Sequence, residues 1–187
     1  MLEKLLFLCL SVGGVFLLTY LWGCAMGTAL PSFTLHPIGY VKKEGSKTFL
    51  VIDEAYKDGL LGMEGFSHIY VYFWFDLNDT PEKRAILRVH PMANPNNPLT
   101  GVFATRSPMR PNLVGMTLSR VLKIEGSILE IDWTDALENT PILDIKPFIQ
   151  AIDCAESPKV PAWLASDDWV KGPQGAHRYE EKRNGQP

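Results

Sequence analysis

A basic excess is what this chain most plainly lacks. Lysines and arginines together number 18 and aspartates and glutamates 21, a formal net charge of −3. That balance argues against a broad grip on nucleic-acid phosphates, so any RNA contact has to rest on a local patch or a second subunit. Cysteine is scarce as well: Cys9 and Cys24 fall in the N-terminal segment, which leaves Cys154 alone in the globular part. No disulfide can form within that part, and an oxidising compartment is not indicated. His36, His68, His90 and His177 are scattered, and no pair has zinc-ligand spacing, so no metal site is expected. No glycine-rich strand-to-helix turn occurs, which leaves a Rossmann-type cofactor site unsupported, and there is no internal repeat.

Charge is also missing from Leu5 to Trp22, and beyond Lys4 no lysine or arginine appears until Lys42. Three readings of this run stand: a short transmembrane helix, the apolar region of a signal peptide, or an extension preceding a natural start at Met26. Taken as an anchor, the thin positive flank puts the N-terminus in the cytoplasm and the domain outside.

What remains is ordinary in balance, 46% apolar and 21% charged, and 187 residues suit one domain with a real core plus appendages. The expected division is an anchor-like segment over residues 1–29, a domain over 30–154 and a polar, partly disordered extension over 155–187. Within the domain, Phe33 to Val41 and Thr48 to Ile52 read as strands, and Asp58 to Gly65 as a glycine-rich connector. His68 to Phe75 is β-branched and aromatic throughout, the pattern of a central strand buried on both faces. Thr80-Pro81 is a helix start, with Thr80 as the cap. Pro91 to Pro98 is a loop. Leu113 to Ile124 fits neither period, and Gly115 suggests a bulge. Ile128 to Trp133 alternates as the second arm of a hairpin, Asp135 to Asn139 is a polar loop, and Ile142 to Ile145 is a last strand. Many short strands joined by polar loops indicate an all-β domain.

The stretch around which the rest is organised is Gly101 to Asn112, GVFATRSPMRPN. An expected apolar strand, Gly101 to Ala104, runs into a loop locked by Pro108 and Pro111, which fix their own φ and push Ser107 and Arg110 out of the helical region. Arg106, Arg110, a hydroxyl and the Asn112 amide are thereby held on a stiff backbone, which lowers the ordering entropy of binding an anionic or highly polar ligand.

This motif, followed by Leu113-Val114-Gly115 and by Thr140-Pro141-Ile142-Leu143-Asp144-Ile145-Lys146-Pro147, and preceded by Gly65-Phe66-Ser67-His68-Ile69, resembles the TsaA-like, TrmO-type family of tRNA methyltransferases across roughly residues 35–154. The resemblance implies a compact single-sheet β-barrel with short helical connectors, non-Rossmann, that binds S-adenosyl-L-methionine and works as a homodimer on tRNA. It implies a cofactor site formed by Asp76 and Leu77 after the aromatic strand, Arg106 with Met116, and Asp135, Ala136, Leu137 and Glu138. Arg110, Asn112 and Lys146 would face the substrate, the N6 of a threonylcarbamoyl-adenosine beside the anticodon. No residue identifies itself as the base. A cytoplasmic-facing domain follows from the cofactor and the tRNA, which conflicts with the charge-based orientation.

The chain departs from the family where a Pro-Arg-Gln loop is replaced by Lys42 to Lys47, where Pro-Arg-Gly-Asp is Pro91-Met92-Ala93-Asn94, and where Asp-Gly-Thr-Pro is Glu138-Asn139-Thr140-Pro141. These departures and the apolar N-terminus motivate an alternative: a non-catalytic, membrane-tethered S-adenosylmethionine-binding module on the same barrel.

Overall fold

The structure, a computed structural model, describes residues 32–164. The chain divides into two compact units, Met1–Thr34 and Leu35–Pro187, and the barrel lies in the second. The apolar run 5–22 is outside the described residues; among those described, no helix is long and apolar enough to cross a membrane.

Strands β1 (Gly39–Glu44) and β2 (Lys47–Ile52) form a hairpin around Gly45, whose φ of 59° is the left-handed turn conformation that glycine adopts without cost. Two short 3₁₀ turns, Glu54–Leu60 and Met63–Gly65, lead to β3 (His68–Trp74). Helix α1 (Pro81–Arg84) starts at Thr80, whose hydroxyl accepts from the Lys83 N–H at 3.3 Å, with Pro81 in the first turn where no N–H is needed. Strands β4 (Arg88–Val89) and β5 (Thr100–Gly101) make a separate two-stranded arm. β6 (Val114–Glu125), β7 (Ile128–Ile131) and β8 (Pro141–Pro147) complete the sheet, and α2 (Gln150–Asp153) follows. The order β1-β2-β7-β6-β3-β8 closes on itself as an antiparallel barrel, so the main sheet has no open edge. The all-β, single-sheet barrel expected from the sequence is the architecture found.

The core is formed by inward residues of five strands, Val41, Leu50, Ile52, Ile69, Val71, Phe73, Leu129, Ile131 and Ile142, all nearly or wholly buried, with Met63 and Ala136 in the same cluster. Each such large side chain contributes about 1.5–3 kcal/mol through removal from water. β3 differs from its reading as a strand buried on both faces. Ile69, Val71 and Phe73 point inward, while His68, Tyr70, Tyr72 and Trp74 are only half-buried on the outer wall, because a closed barrel has a single interior.

β6 differs more. Its buried positions are Gly115, Thr117 and Ser119, and its outward ones include Met116 and Leu118. The register shift lies between Val121 and Lys123, not at Gly115. Gly115 is required for another reason: a Cβ there would lie 2.3 Å from the Phe73 ring, which fills the space directly across the strand pair. The expected strand Gly101 to Ala104 is strand only through Gly101; Val102–Ala104 is a 3₁₀ turn, with the Val102 N–H donating to the Leu87 carbonyl at 3.0 Å.

Candidate ligand cleft at the rim of the barrel

The loop after Val102–Ala104 is tied to itself by short hydroxyl turns. Thr105 Oγ1 donates to the Val102 carbonyl at 3.0 Å and accepts the Ser107 N–H at 3.3 Å; Ser107 Oγ accepts the Met109 N–H at 3.2 Å. Arg110 Nη1 folds back on the Thr105 carbonyl at 3.3 Å. One contact comes from outside the loop. Arg84 Nη1 donates to the Pro111 carbonyl at 3.1 Å, while its Nε pairs with Asp79 at 2.7 Å and the guanidinium lies 5.3 Å from the centre of the Trp74 ring. Trp74 Nε1 donates to the other Asp79 oxygen at 3.1 Å. Hydrogen bonds from Arg84 and Trp74 hold the Asp79 carboxyl below the usual carboxylate range, and Asp79 in turn raises Arg84.

A second loop is anchored by the hydroxyls that β6 carries on its inner face. Thr134 Oγ1 donates to Thr117 Oγ1 at 3.2 Å, and Thr117 Oγ1 donates to the Asp135 carboxylate. Thr134 also accepts the Ala136 N–H at 3.1 Å, and Ser119 donates to the Trp133 carbonyl at 2.7 Å. The polar residues that obscure the periodicity of β6 therefore fasten the Asp135 loop.

Between the two loops lies a cleft of about 380 Å³ lined by Phe75, Phe103, Thr105, Arg106, Arg110, Asn112, Val114, Gly115, Met116 and Asp135. That volume falls within the range of about 300–1,000 Å³ usual for small-molecule sites. Arg106, exposed and without a carboxylate partner among the described residues, meets an acidic side chain and two phenylalanines across it.

Of the residues singled out from the sequence, the cleft brings together Arg106, Arg110, Asn112, Met116 and Asp135. The others lie apart from its lining. Asp76 and Leu77 form the exposed 3₁₀ turn just after Phe75. Ala136 is buried in the core, and Leu137 is tied through its N–H to Thr140 Oγ1 at 3.0 Å. The Glu138 carboxylate accepts the Lys43 N–H, which joins two of the three places where the sequence departs from the family pattern. Asn139, next in the chain, has a φ of 63°, the left-handed conformation that asparagine tolerates, so that turn persists without its glycine. Lys146 is paired with Asp144 at 2.6 Å on the outer wall. Phe103, Thr105 and Val114 join the lining beyond the residues singled out from the sequence, and Phe103 and Thr105 are legible there as neighbours inside the organising motif. Phe75, directly after β3, adds a ring to the lining.

The tRNA-methyltransferase O N-terminal domain family matches residues 32–154. The chain belongs to that family. A Pyrococcus horikoshii protein named as a probable S-adenosyl-L-methionine-binding protein is 47% identical over 123 residues, 66% of this chain and 88% of its own length. The Mus musculus tRNA (adenine(37)-N6)-methyltransferase is 41% identical over 98 residues, 52% of this chain but 22% of that enzyme. A crystal structure of TrmO superposes with a TM-score of 0.55 at 27% identity, covering 70% of this chain and 64% of that one. The tRNA-methyltransferase O domain thus accounts for the barrel and its cleft. It spans a minor part of the mouse enzyme and just under two thirds of the solved TrmO chain.

Proposed function

We propose that the cleft binds S-adenosyl-L-methionine and that the barrel directs methyl transfer to an adenine N6 of tRNA, in the finer reading the threonylcarbamoyl-adenosine beside the anticodon. One observation carries this reading: residues from three separated segments, Arg106, Met116 and Asp135, line a single cleft in a chain of the tRNA-methyltransferase O domain family. The donor set fits the ligand. A guanidinium suits the amino-acid carboxylate, Asp135 suits a hydroxyl or amine, and the Phe75 and Phe103 faces suit a sulfonium.

When bound, the cofactor supplies a methyl group activated by its positive sulfur. The protein's part is to hold donor and acceptor in line, exclude water and accept or relay the proton that nitrogen gives up as the new N–C bond forms. The cleft residues do the positioning through a loop whose backbone is fixed before the ligand arrives. Asp76, Leu77, Ala136, Leu137 and Glu138 would act as rim or backbone contributors, and Lys146 would face the substrate only after leaving Asp144. The family resemblance further implies a homodimer, and the cofactor and tRNA require the barrel to face the cytoplasm whether or not residues 5–22 anchor it.

A second reading, binding without transfer, is favoured by the names of the relatives covered almost end to end, which specify S-adenosyl-L-methionine binding alone. Two measurements separate the readings. Calorimetry of the purified chain with S-adenosylmethionine should show binding that Arg106→Ala abolishes; no binding by the wild-type chain sinks both. Mass spectrometry of tRNA nucleosides from a deletion strain, with and without the restored protein, should show the methylated nucleoside lost and regained. An unchanged nucleoside profile leaves the binding reading alone.

A further inference from the structure

The barrel closes where its first strand meets its last, and there the strand register is short: Gly39 faces Ile142 and Tyr40 faces Pro141. Beyond Tyr40 the partner of β1 is no longer a strand but the loop that precedes β8. The Val41 N–H donates to the Thr140 carbonyl at 3.0 Å, and the Asn139 N–H donates to the Val41 carbonyl at 2.8 Å. At Lys43, two residues on, the acceptor is a side chain: the N–H donates to the Glu138 carboxylate. Asn139 turns the backbone with a φ of 63°, and the Glu138 side chain reaches β1 from just before that turn.

Glu138 therefore fastens one end of a loop whose other end faces the cleft. Asp135 lines the cleft and accepts from Thr117 of β6, while Ala136 is buried in the core with its N–H held by Thr134 Oγ1 at 3.1 Å. The Leu137 N–H is held by Thr140 Oγ1 at 3.0 Å. The near half of the loop thus hangs on β6 and the far half on β1. Glu138 itself is exposed and stands outside the cleft lining, so its carboxylate meets β1 rather than the space a ligand would fill. Reach is what distinguishes it. The family pattern has aspartate here and a different loop in place of Lys42 to Lys47, and glutamate is one methylene longer. Two departures that sit at the two ends of one hydrogen bond form a matched pair, and an acceptor at that length satisfies an N–H that β8 does not reach.

We infer that Glu138 is a positioning residue. By closing the seam at Lys43 it holds the loop that presents Asp135 to the cleft, and what the site needs from it is an acceptor oxygen at glutamate's reach, not a negative charge. The effect on cofactor affinity rests on the cleft being the S-adenosylmethionine site proposed above; the hold of Glu138 on the loop does not.

Three variants of the full chain separate reach from charge: Glu138→Gln keeps the reach, Glu138→Asp keeps the charge and Glu138→Ala keeps neither. The position is exposed, and thermal melts confirm that each folds. Calorimetry with S-adenosylmethionine should find Glu138→Gln within about twofold of wild type, and Glu138→Asp and Glu138→Ala about five- to tenfold weaker, the loss of one modest hydrogen bond. In an Asp135→Asn background, Glu138→Ala should add less than about twofold, because the two residues act in series. Amide exchange of the ligand-free chain should quicken at Lys43, Asn139, Leu137 and Ala136 in Glu138→Ala and Glu138→Asp, but not in Glu138→Gln. Affinity that follows charge instead, with Glu138→Asp near wild type and Glu138→Gln weak, overturns the inference in favour of direct contact with the ligand. Wild-type affinity in Glu138→Ala, or losses that simply add to those of Asp135→Asn, also overturns it. Should the wild-type chain bind no S-adenosylmethionine, the function proposed above fails on its own; faster exchange reaching Ala136 then upholds the hold on the loop, and faster exchange confined to Lys43 overturns it.

Discussion

Arg84 and Pro111, far apart in sequence, are joined by a 3.1 Å hydrogen bond from guanidinium to carbonyl, and this bond positions the cleft. Arg84 is itself fixed by Asp79 and by the face of Trp74, so the end of β3 is braced against the residue between Arg110 and Asn112. Removing the brace should loosen both cleft residues without unfolding the barrel, since Arg84 contributes nothing to the core. Arg84→Ala should weaken S-adenosylmethionine binding about five- to tenfold with a small change in melting temperature. Arg84→Lys, which keeps the charge but not the planar fork, should recover only part of it. Equal affinity in wild type and Arg84→Ala would show that the loop needs no external brace.

The same brace sets an acid limit. Asp79 is held below its ordinary value of 3.8 by hydrogen bonds from Arg84 and Trp74. A carboxyl depressed in the folded state contributes stability above its unfolded value, and that contribution disappears as pH falls through the lower folded value. The difference in stability between wild type and Asp79→Asn should therefore be constant from neutral pH down to about 4 and close only below it. Carbon-detected NMR of the Asp79 carboxyl should place its midpoint under 3.8 in wild type and higher in Arg84→Ala.

How far the sequence discloses this protein depends on whether the reason for a residue is local. The aromatic strand and the Thr80-Pro81 helix start are readable because cap and period are properties of neighbouring residues. β6 is not, because its inward Gly115 answers to a phenylalanine on another strand and its inward Thr117 and Ser119 answer to a loop beyond β7. The cleft was half legible. Its arginines and amide come from one rigid motif, whereas nothing local indicates that Glu138 is tied to Lys43, that Lys146 is paired with Asp144, or that Arg84 reaches Pro111.

Gly115 offers a direct measure of that long-range fit. Gly115→Ala places a methyl carbon 2.3 Å from the Phe73 ring, which has no room to retreat in a closed barrel. The expected cost is about 1–3 kcal/mol in urea unfolding, and Phe73→Leu in the same chain should make the alanine far less costly, a coupling that independent sites would not show.

The Pro91-Met92-Ala93-Asn94 turn stores a smaller, removable cost. Ala93 has a φ of 52°, where an L side chain crowds its own carbonyl and glycine does not. Ala93→Gly should raise stability by about 0.5–1 kcal/mol, the relief of that crowding outweighing the greater freedom glycine gives the unfolded chain. A neutral or destabilising result would mean that the methyl group makes a compensating contact.

Asp135 tests whether the cleft is a charged site or only a shaped one. Its carboxylate is aimed by Thr117, which is aimed by Thr134, so the chain of hydroxyls delivers one negative charge opposite Arg106 with little freedom. Asp135→Asn preserves shape and can still accept from Thr117, so the fold should hold while S-adenosylmethionine affinity falls about tenfold or more, through loss of charge alone. Thr117→Val removes the aim instead of the charge. It leaves Thr134 without its acceptor in a buried setting and should cost about 1–3 kcal/mol of stability together with a weaker site. If both variants bind the cofactor as wild type does, the acidic wall of the cleft has no part in recognition and the ligand is held by Arg106 and the phenylalanine rings.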